Sequence, residues 1–214
     1  MARPKKSQQA MLNAFLDELS RWNSRINLTS VRRDEAWLRH VEETLQLIRV
    51  AEPAPAARVI DVGSGNGVPG VVIAVMRPDL LVTLAEADQR KVGFLHHVAG
   101  RLQLTNVSVL PGRAEQAAHR HSWRGHFDLA VSRATAPPPV LCELTLPFVA
   151  VDGSLCALVS DAHAAVREAA RSAALLGGGE PAAFGDHVLT MRKLRPTDDR
   201  FPRSAGAMRR HPLN

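Results

Sequence analysis

The chain has no tyrosine, and aromatic side chains make up only 4% of its 214 residues. It has two cysteines, Cys142 and Cys156, which are too few for a disulfide framework and do not have the spacing of a zinc ligand set. It also lacks an apolar run of about 18 residues, so we expect no segment that spans a bilayer. The basic start MARPKK is not followed by the apolar stretch of a signal peptide, because Asn13, Asp17 and Glu18 come next. These absences predict a cytoplasmic protein with reduced thiols and without a membrane segment or a metal site.

Charge is distributed unevenly along the chain. The net charge is +6, with eight basic and four acidic residues in 1–39, seven and two in 190–214, and twelve and fifteen between them. A mildly acidic centre with basic ends suits a polyanionic partner that the flanks hold. Scattered surface arginines give the same totals, so the charge alone leaves nucleic acid binding as one of two interpretations.

Apolar spacing predicts an α/β protein with a helical N-terminal part. Residues 7–19 and 34–50 have helical periodicity. The segment AEPAPAA at 51–57 then marks a boundary between an N-terminal helical extension with its linker (1–57) and a main domain (58–214). In the main domain short apolar runs alternate with helical segments, which is typical of a mostly parallel sheet with helices on both faces. The predicted strands are 58–62, 81–86, 107–110, 127–132, 154–160 and 187–194, and the predicted helices are 69–76, 88–102, 138–146 and 162–176.

The most informative stretch is VIDVGSGNGVPG at 59–70, where four glycines follow the end of a predicted strand within eight residues. Glycines allow a sharp turn and let a ligand touch the backbone, because no Cβ stands in the way. Two ligand classes use such a strand–loop–helix unit. One is the dinucleotides, whose pyrophosphate binds at the helix N-terminus, and the other is S-adenosylmethionine (SAM), which has no phosphate. A tight turn without a ligand is the structural alternative.

The glycine spacing and the neighbouring acids favour SAM. From Gly63 the pattern is Gly-x-Gly-x-Gly, and Val68 stands where the dinucleotide fingerprint has its third glycine. That fingerprint appears only from Gly65, two residues late. Asp61, directly before the loop, would repel a pyrophosphate but suits the amino group and sulfonium of SAM. Glu86 ends the next strand, where either class places an acid for the ribose.

Few residues are candidates for catalysis. The segment SRATAPPP at 132–139 has the prolines, but not the Asn/Asp or the aromatic residue, that exocyclic amino methylation uses. Cys142 and Cys156 fall in a helix and in an apolar strand, so we expect them in the core rather than as nucleophiles. An acceptor that is already nucleophilic, such as guanine N7, needs no general base. Arg133 is a candidate for orienting a base edge or the cofactor, with a surface ion pair as the alternative.

Two further groups have both a functional and a structural interpretation. Glu115, in GRAEQ after the third strand, lies where loops contact adenine, or it complements the dipole of a helix. His119, His121 and His126 flank Trp123 without a cysteine or a pair of acids, so we expect a solvated loop and no metal.

The chain resembles the bacterial ribosomal small-subunit RNA methyltransferase G family, also called glucose-inhibited division protein B. Five segments carry the resemblance in order over most of the chain, and together they are much more specific than each is alone. They are RWNSRINLTSVRRDEAWLRHVEETL (21–45), VIDVGSGNGVPGVVIAVMRPDLLVTLAEADQRKVGFL (59–95), GRAEQ (112–116), FDLAVSRATAP (127–137) and MRKLRPTDDRFPRSAGAMRRHPL (191–213).

The resemblance implies a class I SAM-dependent methyltransferase of Rossmann-like α/β fold, with a seven-stranded, mostly parallel sheet. It implies methylation of N7 of a guanine in 16S ribosomal RNA, with that RNA or the small-subunit particle as partner, and we expect a monomer that binds neither membrane nor metal. The cofactor contacts that carry over by matching position are Gly63, Val68, Glu86, Ala87, Asp88, Ala114, Glu115 and Arg133. The loop pattern adds Asp61, Gly65 and Gly67.

The chain departs from the family pattern at Val159-Ser160-Asp161, where the family usually has Lys-Gly. A cation that would face RNA or the active site is missing there. A related methyltransferase with another RNA or small-molecule acceptor therefore stays open. An inactive nucleic-acid-binding module and an NAD-type oxidoreductase also stay open, although the oxidoreductase needs a Tyr-Lys or His partner and the chain has no tyrosine.

The basic ends suggest where the RNA is held. We expect both ends to flank the cofactor cleft and to contact phosphates, which position RNA but do not specify it. The residues concerned are Arg21, Arg25, Arg32, Arg33 and Arg39 near the N-terminus, and Arg192, Lys193, Arg195, Arg200, Arg203, Arg209 and Arg210 in the tail.

Overall fold

The structure, a computed structural model, describes residues 3–133 and 135–213. The strands are β1 (Arg58–Val62), β2 (Leu81–Glu86), β3 (Val107–Pro111), β4 (Phe127–Arg133), β5 (Val149–Leu158), β6 (Ala182–Phe184) and β7 (Val188–Arg192). The helices are α1 (Lys6–Asn23), α2 (Glu43–Ala51), α3 (Gly70–Met76), α4 (Gln89–Arg101), α5 (Ala114–Ala117), α6 (Pro138–Thr145), α7 (Ala162–Leu175) and α8 (Ala205–Arg210). A π-helical turn, Trp37–Glu42, leads into α2, and a 3₁₀ turn, Leu146–Phe148, follows α6.

Within the described residues, seven strands form one sheet in the order β3-β2-β1-β4-β5-β7-β6. Strand β7 is antiparallel to β5 and β6, and the other neighbouring strands are parallel. The seven-stranded, mostly parallel sheet is therefore confirmed. The strand order reverses between β1 and β4, so the crevice that binds ligands in open α/β sheets lies at the carboxyl ends of these two strands.

Local sequence explains the central elements. Val59 and Ile60 of β1 are both fully buried, as expected for a strand that helices cover on both faces. Asp88 begins α4 by accepting a hydrogen bond from the Arg90 backbone N–H at 2.9 Å, and Asp161 begins α7 by accepting one from the Ala164 N–H at 2.9 Å. Side-chain caps of this kind satisfy backbone donors that the first helical turn leaves free.

The N-terminal helices share a hydrophobic core with the sheet. Leu12 and Phe15 of α1 are fully buried, in the same cluster as Val71 of α3. Trp22 packs against Phe94 of α4, with ring centroids 5.6 Å apart. The division at residues 57 and 58 remains a prediction from the sequence, and packing continues across it.

The structure differs from the sequence prediction mainly at the edge of the sheet and in short elements. Strand β5 begins at Val149 rather than at residue 154, because its exposed first half pairs through a register shift with β4. The three-residue β6 and the short helix α8 were not predicted, and α5 was foreseen only as the structural alternative for Glu115. The second N-terminal helix begins as a π-turn at Trp37.

Both cysteines lie in the core, as predicted. Burial raises the pKa of the Cys142 thiol to about 12 and that of Cys156 to about 11. Neither is therefore a nucleophile at neutral pH. Among the helices of 3–133 and 135–213, none combines the length and the hydropathy that a membrane crossing requires.

Candidate functional site

A cavity of about 610 Å³, here called the loop cavity, lies at the carboxyl ends of β1, β2 and β4. The glycine loop lines it, together with residues 28–31, Arg39 and His40 from the N-terminal part. The predicted cofactor residues that line it are Gly63, Gly65, Val68, Glu86, Ala87, Ala114, Glu115 and Arg133. Loops that are far apart in sequence thus converge where the strand order reverses.

Glycine is required at the start of the loop. Gly63 has φ +72°, and a Cβ there would lie 2.6 Å from Cγ2 of Thr135, so any side chain would clash as well as strain the backbone. The backbone N–H groups of Gly63 and Ser64 donate to the carbonyl of Ala85 at 2.9 and 3.0 Å. These bonds hold the loop against the end of β2.

Glu86 organises the loop and the start of the α4 segment at once. One carboxylate oxygen accepts from the backbone N–H groups of Ala87 and Asp88 at 2.8 Å, and the other accepts from the Gly65 N–H at 2.8 Å. The residue is 9% exposed and faces the loop cavity. An ionised carboxylate has about four lone-pair sites, and three are used here, so Glu86 keeps about one for a hydroxyl of a bound ribose.

Asp61 has a structural role that the sequence did not reveal. Its side chain lies behind the loop, fully buried and outside the lining of the loop cavity as far as the chain is described. One carboxylate oxygen accepts from the Gly70 N–H at 2.9 Å, and the other has no partner among the described residues. A Cβ on Gly70 would come within 2.8 Å of this carboxylate. Asp61 therefore fixes the first residue of α3, and its contact with the cofactor stays a prediction.

Gly67 and Asp88 are also placed outside the lining of the loop cavity in the described structure. Gly67 has φ +85°, and a Cβ there would lie 2.9 Å from Val71, so its conformation serves loop packing. Asp88 caps α4, and its hydrogen bonds with Arg90 lower the pKa of its carboxyl to about 2. Asp61, Gly67 and Asp88 thus each stabilise the glycine loop or a helix next to it.

Burial of Asp61 predicts a pH effect on stability. Its pKa is raised from 3.8 to about 7 by burial, so between these values the folded protein holds a proton that the unfolded chain has lost. The free energy of unfolding should therefore fall as the pH rises from about 4 to 7, by about 1 kcal/mol per pH unit. Asp61→Asn does not titrate and keeps an acceptor for Gly70, so it should lack this component. Urea unfolding of both proteins across the range tests the effect, and a constant difference between them would contradict it.

Arg133 joins β4 to the N-terminal part. Its guanidinium lies 2.9 Å from a carboxylate oxygen of Glu43 and donates to the carbonyl of Arg39, while Arg39 itself lies 3.0 Å from the other Glu43 oxygen. The side chain also lines the loop cavity. Arg133 therefore makes an ion pair, but a largely buried one rather than the surface pair of the alternative interpretation. Its role towards a base or the cofactor stays a prediction.

His40 is a cavity residue that the sequence did not reveal. It is 1% exposed, and its Nε2 lies 3.4 Å from the Thr29 hydroxyl. Burial and the charges of Arg133 and Arg39 lower its pKa to about 4, so it is neutral at pH 7. No local motif marks it, because only the packing of the N-terminal part over the sheet brings it to the cavity.

Most of the basic side chains at the two ends lie near a carboxylate or are buried. The residues within ion-pair distance of a carboxylate are Arg21, Arg32, Arg33, Arg39, Arg192, Arg200 and Arg203. Lys193 is buried, where its ammonium donates to the carbonyls of Leu146 and Leu176 at 2.8 Å. The expectation of a phosphate contact is therefore wrong for Lys193. For the arginines, which are exposed or half-buried, it stays a prediction.

In the described structure, the histidines beside Trp123 are not arranged as metal ligands, and two of them contact other protein groups. His119 bonds the carbonyl of Pro202 at 2.8 Å, and His126 contacts Arg58 at 3.2 Å. Across 3–133 and 135–213, no three His, Cys, Asp or Glu side chains are grouped to hold a metal ion. His119 therefore contacts the C-terminal segment from an exposed turn, in agreement with the expected solvated loop.

Comparison with known proteins gives a family and a fold. A family model described as rRNA small subunit methyltransferase G matches residues 8–186. A ribosomal RNA small subunit methyltransferase G from Moorella thermoacetica is 37% identical over 220 residues, which cover 98% of this chain and 92% of the relative. One from Chloroflexus aggregans is 37% identical over 216 residues, covering 96% and 90%.

Two solved structures have a similar fold. A precorrin-6y C5,15-methyltransferase from Geobacter metallireducens aligns with a TM-score of 0.56 at 11% identity, over 78% of this chain and 91% of that one. A 16S rRNA methyltransferase from Thermus thermophilus, solved with AdoMet (SAM) and guanosine, aligns with a TM-score of 0.53 at 17% identity, over 72% and 39%. At these identities the likeness concerns the fold alone.

Proposed function

Because the chain belongs to the rRNA small subunit methyltransferase G family, we propose that it transfers the methyl group of SAM to N7 of a guanine in 16S ribosomal RNA. It is a SAM-dependent methyltransferase by family and fold. The observation that carries the proposal is the loop cavity, in which the Gly63 loop and Glu86 meet at the carboxyl ends of β1 and β2. Its volume falls within the range of about 300–1,000 Å³ that small-molecule sites occupy.

Several lining residues support SAM as the ligand. Gly63 and Gly65 let the ligand approach the backbone, and Glu86 can accept a hydrogen bond from a ribose hydroxyl. Ala114 and Glu115, at the first turn of α5, lie on the wall where we place the adenine. When bound, SAM supplies an electrophilic methyl group on a sulfonium.

The chain's own contribution to the reaction is positioning. His40, held neutral by burial, and Arg133, held by Glu43, line the loop cavity together with the glycine loop. Guanine N7 carries a free lone pair, so no proton has to leave the acceptor before the methyl group arrives. An acceptor of this kind suits this cavity, because His40, with its lowered pKa, is a weak base and the reaction does not need one.

Ligand choice tests the cofactor. Calorimetric titration with S-adenosylhomocysteine (SAH) should give micromolar binding, and titration with NADH should give none. Binding of NADH alone would support the oxidoreductase alternative, and binding of neither would support a nucleic-acid-binding module.

The acceptor is tested with small ribosomal subunits that lack the modification. Incubation with the protein and methyl-labelled SAM should place the label in 7-methylguanosine of the 16S RNA, identified by mass spectrometry of the nucleosides. Label in a different nucleoside, or transfer only to a small molecule, would support a related methyltransferase with another acceptor.

A further inference from the structure

We propose that a second cavity, beside the loop cavity, binds a nucleotide of single-stranded substrate RNA that neighbours the acceptor guanine. This second cavity has a volume of about 660 Å³ and lies between the start of α6, the middle of α7 and helix α8. Thr135 lines both cavities, so the two adjoin at that side chain. The inference rests on the proposed RNA substrate and adds to it where the strand lies.

The lining of the second cavity matches the two chemical parts of a nucleotide. Pro137, Pro139, Val140 and Met208 give an apolar surface against which a base can pack. The charged residues of the lining are Arg167, Arg171, Arg209 and Glu168. Guanidinium groups bind phosphate through paired N–H donors and also stack on the faces of unpaired bases.

The arginines of the second cavity differ from most of those at the chain ends. Arg167, Arg171 and Arg209 are exposed, and none lies in an ion pair with a carboxylate of the described residues. Arg167 makes one hydrogen bond, to the carbonyl of His163 at 3.0 Å. Three cations facing one anion, Glu168, favour a polyanionic occupant over an apolar peptide.

The wall that α8 contributes is held firmly against the body of the protein. The Arg203 guanidinium makes two hydrogen bonds to the carboxylate of Glu143 on α6, at 2.8 and 2.7 Å, and Glu143 is fully buried. Ser204 then caps α8 by accepting from the Ala207 N–H at 3.3 Å. The second cavity is thus formed by anchored elements rather than by a loose tail.

Thr135 places the second cavity next to the proposed reaction site. Its hydroxyl lies 2.6 Å from that of Ser132 and 3.2 Å from the carbonyl of Val62, the last residue of β1. Thr135 is also the side chain nearest to the missing Cβ of Gly63. A strand that puts its acceptor base in the loop cavity and continues across Thr135 therefore places its next nucleotide in the second cavity.

Substitutions that remove single charges from the second cavity test the proposal. Arg167→Gln with Arg171→Gln should weaken binding of unmodified 16S ribosomal RNA about tenfold or more, and should reduce the slope of log affinity against log salt by about one to two. Glu168→Gln is the matched control, because it changes the opposite charge in the same cavity and should leave the affinity equal or higher. SAH affinity should be the same in all of these variants, because none of these residues lines the loop cavity.

Filling the apolar part of the second cavity with a larger side chain distinguishes binding of a base from electrostatic attraction of the RNA. Val140→Trp adds volume without charge, so it should weaken RNA binding while the salt slope stays unchanged. Each variant is checked for folding by its SAH affinity, and the glutamine exchanges, at exposed positions, serve if the tryptophan variant does not fold.

Two results would overturn the proposal while methyl transfer stands. One is wild-type RNA affinity in the double arginine variant, and the other is an equal loss in Glu168→Gln. If the wild-type protein binds SAH but does not methylate 16S ribosomal RNA, the proposed function fails and the nucleotide site fails with it.

Discussion

Gly63→Asp should abolish cofactor binding, with an SAH affinity at least about a hundredfold below wild type. Gly63 has φ +72°, a conformation that costs a residue with a Cβ about 1–2 kcal/mol. The new Cβ would also lie 2.6 and 2.9 Å from the side-chain atoms of Thr135. The carboxylate beyond it would occupy space in the loop cavity, which Gly63 lines.

Gly93→Ala provides the matched control for this change. Gly93 lies inside α4, is exposed, and has no atom within 4 Å of the position of an added Cβ. Alanine there should raise the free energy of unfolding by up to about 1 kcal/mol and leave SAH binding unchanged. Calorimetry gives the affinities and circular dichroism the folded state. A folded Gly63→Asp protein with wild-type SAH affinity would show that this loop does not hold the cofactor.

Arg203→Ala should lower the free energy of unfolding by about 3–5 kcal/mol. Glu143 is fully buried and accepts hydrogen bonds from the Arg203 backbone N–H at 2.8 Å and from its guanidinium at 2.8 and 2.7 Å. Without the guanidinium, the folded state would keep a buried carboxylate with no opposite charge. The main cost is the desolvation of that carboxylate, because water solvates it in the unfolded chain but does not reach it in the folded protein.

Urea unfolding at neutral pH measures the loss. Arg200→Ala is the control, because Arg200 lies 3.8 Å from Asp198 in an exposed pair that should contribute less than about 1 kcal/mol. Replacing both partners, with Glu143→Leu and Arg203→Met, should recover most of the stability, because no charge is then buried alone. An Arg203→Ala protein as stable as wild type would contradict this account of the pair.

The central strands and the loop could be predicted because their signals are local. Strand β1 reads as a continuous apolar run, and the glycines after it need positive φ at Gly63, Gly65 and Gly67. The position of Glu86 follows from the end of the next strand. These features depend on a few neighbouring residues, so the sequence alone is sufficient to place them.

The remaining features depend on tertiary contacts. Lys193 looks like another basic residue of the tail, yet it is buried because two backbone carbonyls and the Thr197 hydroxyl accept from its ammonium. Arg167 and Arg171 belong to the part of the chain that is acidic overall, so counting charge by segment hides them. Asp61 is next to the loop in sequence, but its side chain turns into the core. Helix α8 is only six residues long and carries no clear periodicity.

The contact between α1 and the glycine loop links the two energetically. A Cβ on Gly67 would lie 3.4 Å from the ring of Phe15, so the first helix packs directly against the loop that we assign to the cofactor. A ligand that binds only the ordered loop must then also favour the docked state of the helix, by mass action. Hydrogen exchange of the α1 amides should consequently slow when SAH is bound, although none of the α1 residues lines the loop cavity. The amino-terminal helix is, in thermodynamic terms, part of the cofactor site.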